Sequence, residues 1–523
     1  MNNTDRLSAV RSNRSGKLLY DGTEWNFDTI KRVYDAIHEI GVDDMGLDIY
    51  ANQIEVIRSE QMLDAYASIG MPNMYRHWSF GKHFAREEAL YRKGARALAY
   101  ELVINSDPCI NYIMEENSMT MQALVLAHAA MGHNHFFKNN YLFKQWTDAT
   151  SILDYLTFAK EYVAECEEKY GVDDVELVLD SAHALMNQGI SRHPRPRTTL
   201  KDEQEKQRKR LKHEQETYNE IWRAVPRSEL PSVAHGELTG DASCEATALS
   251  LPQENLLYFL EKHAPKLEDW KRELLRIVRM LAQYFYPQRQ TKVMNEGCAT
   301  FVHYEILNTL YDRGQITEGA MLEFMHSHSS VVYQPTFNSG HYSGMNPYAL
   351  GFAMMRDIKR ICEDPTEEDR DWFPVIAGNG DAMGTLKEAW AEFRDDSFIL
   401  QYLSPRLIRE FRLFHIHDRS DSPFVNVCSI HDETGYRNVR RKLAEQYDVG
   451  CRDPDIQVIS ADLSGDRRLV LHHNVRDGIL LDKDNCDRTL LHVAHLWGYR
   501  VRLMEVDSGT NEVLREHEAL PMP

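Results

Sequence analysis

Two histidine-bearing segments, residues 122–140 and 293–304, stand out because each lies in an apolar stretch with helical periodicity. Imidazole nitrogens and carboxylate oxygens on neighbouring buried helices are ligands that catalytic zinc or iron takes in proteins. The side chains of this kind in the two segments are His128, His133, His135, Glu296 and His303. Their types predict a site for a divalent metal ion, with zinc as the first expectation.

Glu296 and His303 are placed on one helix face by their spacing. They are seven residues apart, so two turns separate them and their side chains lie about 20° from eclipsed. The pair suits a metal site on a buried helix. A hydrogen bond between carboxylate and imidazole in the core explains the same spacing, and the sequence leaves both interpretations open.

The first segment has less regular spacing. His128 and His135 share a face by the same seven-residue rule, whereas His128 and His133 lie about 140° apart on an ideal helix. Gly132 changes this expectation if it ends the helix or hosts a π-bulge. One inserted residue makes the five-residue spacing behave as i,i+4, which places His128 and His133 on one face.

Residues 326–348 have the composition of a long loop, rich in Gly, Asn, Pro and Ser, and they carry three histidines. Loops of this length inside a compact domain are often functional. Within this one, His341 and Tyr348 are candidates to stabilise an oxyanion or to bind substrate. The Asn-Pro-Tyr sequence that ends at Tyr348 is equally typical of a turn.

The elements that must hold these residues are predicted to be helices. Apolar periodicity runs through residues 25–190, the first part of a helical core, and returns in residues 251–422, its second part with the long loop. Between them, residues 191–250 are charged and then small and polar, which predicts a flexible linker. Residues 1–24 are interpreted as an N-terminal tail.

Residues 423–523 are predicted to form a C-terminal α/β domain of the ferredoxin-like βαββαβ type. Its predicted strands and helices are, in chain order, Phe424–Ile430, Glu433–Tyr447, Ile456–Leu463, Arg468–His473, Cys486–Trp497 and Val501–Val506. No catalytic motif occurs there, so we expect a docking or regulatory role with a protein partner.

Composition excludes several classes of protein. The formal net charge of the 523 residues is -20, which argues against a nucleic-acid or anionic-membrane binder. No run of about 18 apolar residues occurs, so no membrane span is expected. The N-terminal residues lack the apolar stretch of a secretory signal, and the eight cysteines form no Cys-x-x-Cys pair. We therefore expect a cytoplasmic protein with reduced thiols.

Long phrases of the sequence closely resemble the SpoVR family, named after stage V sporulation protein R. They are MPNMYRHWSFGKHF (71–84), KNNYLF (138–143), ECEEKYG (165–171), PQENLLYFLEKHAP (252–265), NEGCATFVHY (295–304) and MNPYALGFAMMRDIKRICEDPTEEDR (345–370). The resemblance runs from about residue 20 to the end of the chain. The family is associated with the spore cortex, a modified peptidoglycan, and occurs also in bacteria that make no spores. The resemblance implies a role in peptidoglycan or spore-cortex formation or in its regulation.

Two patterns of that family match the histidine segments. Ala-His-x-x-x-Gly-His-x-x-Phe-Phe-Lys-Asn-Asn matches the segment around His128 and favours His133 over His135 as a ligand. Asn-Glu-Gly-Trp-Ala-x-x-x-His matches the segment around Glu296, with Cys298 where the family has tryptophan. That departure disfavours a hydrolase in which Cys298 is the nucleophile.

The same residues resemble gluzincin-type metallopeptidases, which place two histidines on one helix and a glutamate on a second. In those families the residue after the first histidine is the glutamate that acts as general base, and here it is Ala129. A metal-activated water still needs a proton acceptor. The candidates are Glu115, Glu116 and His303, and Glu116 comes first because it lies just ahead of the motif helix.

The sequence thus predicts a mainly α protein with a helical zincin-like core and a C-terminal α/β domain. The predicted metal ligands are His128, His133 and Glu296. His303 is expected to be either a fourth ligand or a residue that contacts a ligand without binding the metal itself. The predicted catalytic residues are Glu116, His303 and Tyr348. The expected reaction is metal-dependent hydrolysis of an amide in a peptide or peptidoglycan precursor. The alternative is a non-enzymatic regulatory or scaffold protein that acts through its C-terminal domain.

Overall fold

The computed structural model describes most of the chain in several ranges. These ranges are residues 17–67, 71, 74–79, 82, 101–192, 251–336, 339–340, 342, 344–413, 415–417, 426–428, 433–463 and 465–521. Nearly all of the predicted linker, most of the predicted N-terminal tail and the candidate His341 lie outside them.

The chain is mainly helical, as predicted. Its α-helices, numbered in chain order, are α1 Phe27–His38, α2 Ser59–Ala67, α3 Met119–Val125, α4 Asn134–Asn139, α5 Tyr141–Trp146, α6 Ile152–Tyr170, α7 Val172–Ala184, α8 Leu256–His263, α9 Asp269–Gln290, α10 Lys292–Asp312, α11 Glu318–Val331, α12 Pro347–Glu363, α13 Glu367–Trp372, α14 Ala382–Glu392, α15 Asp395–Tyr402, α16 Pro405–Glu410, α17 Glu433–Tyr447, α18 Val449–Arg452 and α19 Lys483–Trp497. Two π-helical segments, Glu39–Asp44 and Leu126–His133, and a 3₁₀ turn, Met186–Gln188, complete the helical elements of the described ranges. None of the described helices is long and apolar enough to cross a membrane.

Within the described ranges, the strands form three small sheets. They are β1 Asn52–Ile57, β2 Glu101–Ile104, β3 Cys109–Met114, β4 His415–His417, β5 Asn426–Cys428, β6 Ile456–Ala461, β7 Leu469–Val475, β8 Val501–Asp507 and β9 Val513–Ala519. In the first sheet β3 lies between β1, which is parallel to it, and β2, which is antiparallel. In the second, β4 pairs with β5.

The chain divides into two compact units. The first consists of residues 1–180 and 273–453, and the second of residues 181–272 and 454–523. The first unit contains both histidine segments. Its hydrophobic core includes fully buried side chains from both segments, among them Leu126 and Met131 of the π-helix and Phe301 of α10.

Helix α10 approaches its neighbours closely at two glycine positions. A Cβ atom on Gly132 of the π-helix would lie 2.4 Å from the Cα of Ala299 in α10. On the other side of α10, a Cβ atom on Gly351 of α12 would lie 2.2 Å from the carbonyl oxygen of Val293. Both separations are well below a normal contact, so these backbones pack together only because the positions carry no side chain.

The first turn of α10 is fixed by a buried carboxylate. Asp395 accepts hydrogen bonds from the backbone N–H groups of Val293 and Met294, each at 2.9 Å. These are among the N–H groups at the start of a helix that have no partner within the helix. The contact therefore anchors the end of α10 that carries the second candidate segment.

The second unit contains a four-stranded sheet in the order β6-β7-β8-β9. The middle pair, β7 and β8, is parallel and is connected through α19, whereas the outer pairs are antiparallel. The predicted order βαββαβ is wrong, because the sheet has the order ββαββ. The strand predicted over residues 424–430 corresponds to β5, which pairs with β4 in the first unit, and the predicted helix Glu433–Tyr447 is α17 of that unit.

The strands β1 to β4 lie in stretches that were predicted as helical core, so the prediction of helix was wrong there. In the four-stranded sheet, the strand that the sequence did not predict is β9. Its sequence, Val-Leu-Arg-Glu-His-Glu-Ala, has charged residues at most central positions and a largely exposed surface. An edge strand of this kind lacks the apolar alternation that identifies half-buried strands. Only its antiparallel hydrogen bonding to β8 in the folded protein defines it as a strand.

We expect Asp395→Ala to lower the free energy of unfolding by about 1–3 kcal/mol, because two buried N–H groups of α10 lose their acceptor. Urea denaturation followed by circular dichroism measures the change. The matched control is Asp44→Ala, whose exposed carboxylate pairs with Arg313 and should contribute less than about 1 kcal/mol. Equal destabilisation by the two substitutions would show that the cap does not hold α10.

Candidate metal centre

The π-helix brings His128 and His133 onto one face. It spans Leu126–His133, and every residue in it is buried. The two imidazole ring centroids are 4.7 Å apart and the rings are nearly perpendicular. The expectation that a local π-helical geometry would align this five-residue spacing is confirmed.

Glu296 of α10 faces the two histidines. Its Oε2 atom lies 3.9 Å from His128 Nε2 and 3.6 Å from His133 Nε2, and the three potential ligand atoms lie within 4.8 Å of one another. Zinc bonds of about 2.0–2.1 Å at tetrahedral angles place ligand atoms about 3.3 Å apart. Small side-chain rotations therefore suffice for the three atoms to share one ion.

The Glu296 Oε2 atom is buried and accepts no hydrogen bond from the residues that the structure describes. A buried carboxylate oxygen without a donor is costly, and native structures usually supply one. A cation next to this oxygen removes the cost. The donor set of two imidazoles and one carboxylate thus fits a zinc ion, on the basis of both geometry and the unsatisfied oxygen.

The far side of the His133 ring is held by an amide. His133 Nδ1 lies 2.9 Å from Asn295 Oδ1. Because that oxygen only accepts, Nδ1 must carry the proton, which leaves the lone pair of Nε2 directed at Glu296. The residue immediately before Glu296 therefore sets the tautomer that a metal ligand needs.

The far side of the His128 ring is held by two further histidines. His128 Nδ1 lies 2.9 Å from His303 Nδ1, and His303 Nε2 lies 2.9 Å from His328 Nδ1. Burial lowers the pKa of His128 and His303 well below the usual value, and burial together with Arg356 lowers the pKa of His328 to about 4. The rings are therefore neutral at pH 7. With donation running from His128 to His303 to His328, His128 Nε2 keeps its lone pair for a metal.

His303 is accordingly placed behind His128 and not beside Glu296. Both of its ring nitrogens contact other histidines, and the residue is buried. Of the two roles expected for it at the metal, the geometry favours the partner behind a ligand. Because both ring nitrogens contact histidines, the structure gives no support to the catalytic role that the sequence also suggested for His303. His328 belongs to α11, which continues into the segment that composition predicted as loop.

Glu101, which the sequence analysis did not identify, lies next to the cluster. It is the first residue of β2, and its Oε1 atom is 3.7 Å from His128 Nε2. Burial, together with the negative charge of Glu296, raises the pKa of Glu101 to about 8. Because Glu101 lies at the start of a strand, no helical spacing relates it to the histidines, and only the tertiary fold reveals it.

Tyr348 also lies beside the histidines. Its ring is nearly parallel to that of His128, with centroids 6.4 Å apart. It occupies the first turn of α12, which Asn346 caps by accepting a hydrogen bond from the Tyr348 N–H at 3.0 Å. The turn and the candidate substrate contact that the sequence suggested for Tyr348 are therefore compatible.

Glu115 and Glu116 lie elsewhere. Both side chains are exposed; Glu116 Oε1 accepts a hydrogen bond from the backbone N–H of Ser59 at 3.2 Å, and Glu115 is 3.4 Å from Arg58. None of the described contacts of either carboxylate is with the three candidate ligands. Glu116 is thus not brought together with the cluster, whereas Glu101 lies next to it.

His135 and Cys298 have structural surroundings. His135 Nδ1 lies 3.0 Å from the backbone nitrogen of Asp48, and the ring packs edge-on against Trp390. Cys298 is fully buried, its sulfur faces the carbonyl oxygen of Gly132, and burial raises its pKa well above the usual value. A neutral buried thiol is not a nucleophile, so the hypothesis of a Cys298 hydrolase is not supported.

We expect His128→Ala and Glu296→Gln each to reduce bound zinc by about one equivalent per chain, because either change leaves two protein ligands. Mass spectrometry of the metal content, on protein purified without a histidine tag, gives the readout. His135→Gln, a change at a buried histidine outside the cluster, should retain the zinc of the unsubstituted protein. Unchanged zinc in all three variants would exclude this site.

Comparison with known proteins assigns both parts of the chain. Residues 24–452 match the family model described as SpoVR like protein, and residues 454–508 match the model described as SpoVR-like C-terminal domain. The chain is 53% identical over 505 residues to "Uncharacterized protein YcgB" of Escherichia coli (strain K12), an alignment that covers 96% of this chain and 97% of that protein. No solved structure matches. The resemblance found in the sequence is thus confirmed, and the chain belongs to the family of SpoVR-like proteins.

Proposed function

We propose that the first unit is a metal-dependent hydrolase that cleaves an amide bond. The observation that carries the proposal is the convergence of His128, His133 and Glu296 within 4.8 Å, with one buried Glu296 oxygen that has no donor among the residues that the structure describes. Two histidines and one glutamate form a recurrent ligand set of catalytic zinc, in which a further coordination position stays open for the reaction. A zincin-like core is part of this proposal.

A bound zinc ion would polarise the carbonyl group of the substrate. It would also lower the pKa of a water molecule enough for that water to attack near neutral pH. The chain's own residues must then move the proton. We assign this role to Glu101, whose side chain is only 18% exposed and whose carboxylate lies 3.7 Å from His128 Nε2. Burial and the charge of Glu296 favour the protonated form of Glu101 near pH 7. A cation held by Glu296 would lower this pKa, so that the Glu101 carboxylate could accept the proton of the attacking water and deliver it to the leaving nitrogen. This assignment replaces Glu116, whose carboxylate is exposed and bonded to Ser59.

Tyr348 and His303 support the reaction in different ways. Tyr348 stacks beside His128, and its phenol O–H is a donor for the carbonyl oxygen of a substrate or for the charge that develops on it. His303 contacts His128 and His328 through its two ring nitrogens and thereby holds the His128 ring. We therefore treat His303 as a positioning residue and Tyr348 as a substrate-binding one.

The proposed substrate is an amide in a peptide or a peptidoglycan precursor. Support comes from membership of the SpoVR-like family together with that family's association with the spore cortex. A cytoplasmic protein, as we expect this one to be, meets soluble precursors and not the finished wall. Stem-peptide amides of such precursors are therefore the first compounds to test.

We expect Glu101→Gln to lower the rate of amide cleavage by about 10²- to 10⁴-fold, because the amide cannot accept the proton. Zinc content should stay unchanged, since Glu101 is outside the proposed ligand set. The assay follows amine release from stem peptides and soluble precursors by mass spectrometry, with the zinc-loaded protein. Glu116→Gln is the matched control and should retain the activity of the unsubstituted protein.

Two results would contradict the proposal. Equal activity of the Glu101→Gln and unsubstituted proteins would remove Glu101 from the mechanism. A zinc-loaded protein that cleaves none of these amides would instead favour the non-enzymatic regulatory or scaffold role, which the absence of a glutamate at Ala129 already suggested.

A further inference from the structure

A second group of potential ligands lies in the second unit, in the four-stranded sheet domain. Cys486 and Asp487 lie near the start of α19, and His517 lies on β9. One potential ligand atom from each lies within 4.8 Å of the other two. A thiol, a carboxylate and an imidazole from two elements are thus brought together.

His517 is oriented by a buried carboxylate behind it. Its Nε2 atom lies 3.1 Å from Oε1 of Glu505, a fully buried residue of β8. Because a carboxylate only accepts, Nε2 carries a proton, and in a neutral ring the lone pair then belongs to Nδ1. This arrangement of carboxylate, histidine and outward lone pair is the one that commonly supports a metal-binding histidine.

The other side of the His517 ring requires a positive charge. Nδ1 lies only 2.6 Å from Asp487 Oδ1. A lone pair of Nδ1 facing a carboxylate oxygen is repulsive, so at this distance a proton lies between the two atoms. Two ligand atoms of one zinc ion stand about 3.3 Å apart, a separation that a small rotation of the half-exposed Asp487 side chain provides. A proton accounts for the contact between His517 and Asp487, but it gives the neighbouring thiol of Cys486 no role.

The charges around the group also favour a cation. Glu505 is already compensated, since it contacts the guanidinium of Arg515 and accepts the backbone N–H of Leu481 at 2.8 Å. Asp487 has no such partner among its described contacts apart from His517. A divalent ion would balance the charges of Asp487 and a Cys486 thiolate together.

We propose that Cys486, Asp487 and His517 form a zinc site that fastens α19 to β9. The thiolate selects zinc over magnesium or calcium, which prefer oxygen ligands. Three protein ligands leave a fourth position for solvent, and the Asp487 side chain is 48% exposed, so the ion enters from the surface. On binding, the thiol proton of Cys486 and the proton between His517 Nδ1 and Asp487 both pass to solvent, as the sulfur–zinc and nitrogen–zinc bonds form.

Cobalt(II) distinguishes this site from the candidate centre of the first unit. A thiolate bound to cobalt gives a charge-transfer band in the near ultraviolet, whereas two imidazoles and a carboxylate do not. We expect the full-length protein, titrated with cobalt(II), to develop this band at about one equivalent per chain. Cys486→Ser should abolish the band. Cys451→Ser, at an exposed cysteine of the first unit, should keep it, and so should His128→Ala.

Asp487→Asn provides a second test that does not depend on the cysteine. Because this side chain is half exposed, the variant should fold normally, and circular dichroism verifies this. We expect its affinity for cobalt(II) to fall by about tenfold or more. Absence of the band in the unsubstituted protein, its persistence in Cys486→Ser, or unchanged affinity in Asp487→Asn would each overturn the proposal and leave a protonated His517 between two carboxylates.

Discussion

The close approach of α10 to the π-helix and to α12 is the constraint on which the candidate metal centre depends. A Cβ atom on Gly132 would come within 2.4 Å of Ala299, and one on Gly351 within 2.2 Å of Val293. Any side chain there would force the helices apart. Gly132 directly precedes the ligand His133, so a displacement at the crossing would be passed to the ligand itself, and ligand bonds tolerate only a few tenths of an ångström.

Near this crossing, hydrogen bonds engage the outer ring nitrogens of His128 and His133, while their inner nitrogens and Glu296 face one another. Asn295 holds the outer nitrogen of His133, and the pair His303 and His328 holds that of His128. What remains are the two inner nitrogens and one oxygen of Glu296. Glu296 Oε2 is one of several buried polar atoms without a hydrogen-bond partner among the described residues. It is distinguished by its position beside two imidazole nitrogens, where the proposed metal ion would be its partner.

Much of this centre could be predicted from the sequence, because its ligands lie on helices. Helical periodicity fixes the direction of neighbouring side chains, and the five-residue spacing around Gly132 was enough to suggest the π-helical geometry that aligns His128 with His133. The mainly helical character and most strands of the C-terminal sheet also follow from local patterns. The family phrases identified the protein family without reference to the fold.

The remaining features depend on contacts between distant parts of the chain. Glu101 reaches His128 from a strand, and Glu505 reaches His517 across two neighbouring strands. No local periodicity connects either pair. The order of strands in the C-terminal sheet likewise depends on which edges pair, and the charged sequence of β9 gives no apolar signal for that pairing.

The π-helix has a consequence for how such centres are recognised. It accommodates one residue more than an α-helix over the same rise and leaves the flanking turns in phase. A relative that lacked one residue between His128 and His133 would form a regular α-turn there and still present both imidazoles to the same ion. The interval between ligands counted along the chain can thus vary while their arrangement in space is conserved, and searches by fixed motif spacing would treat the two forms as unrelated.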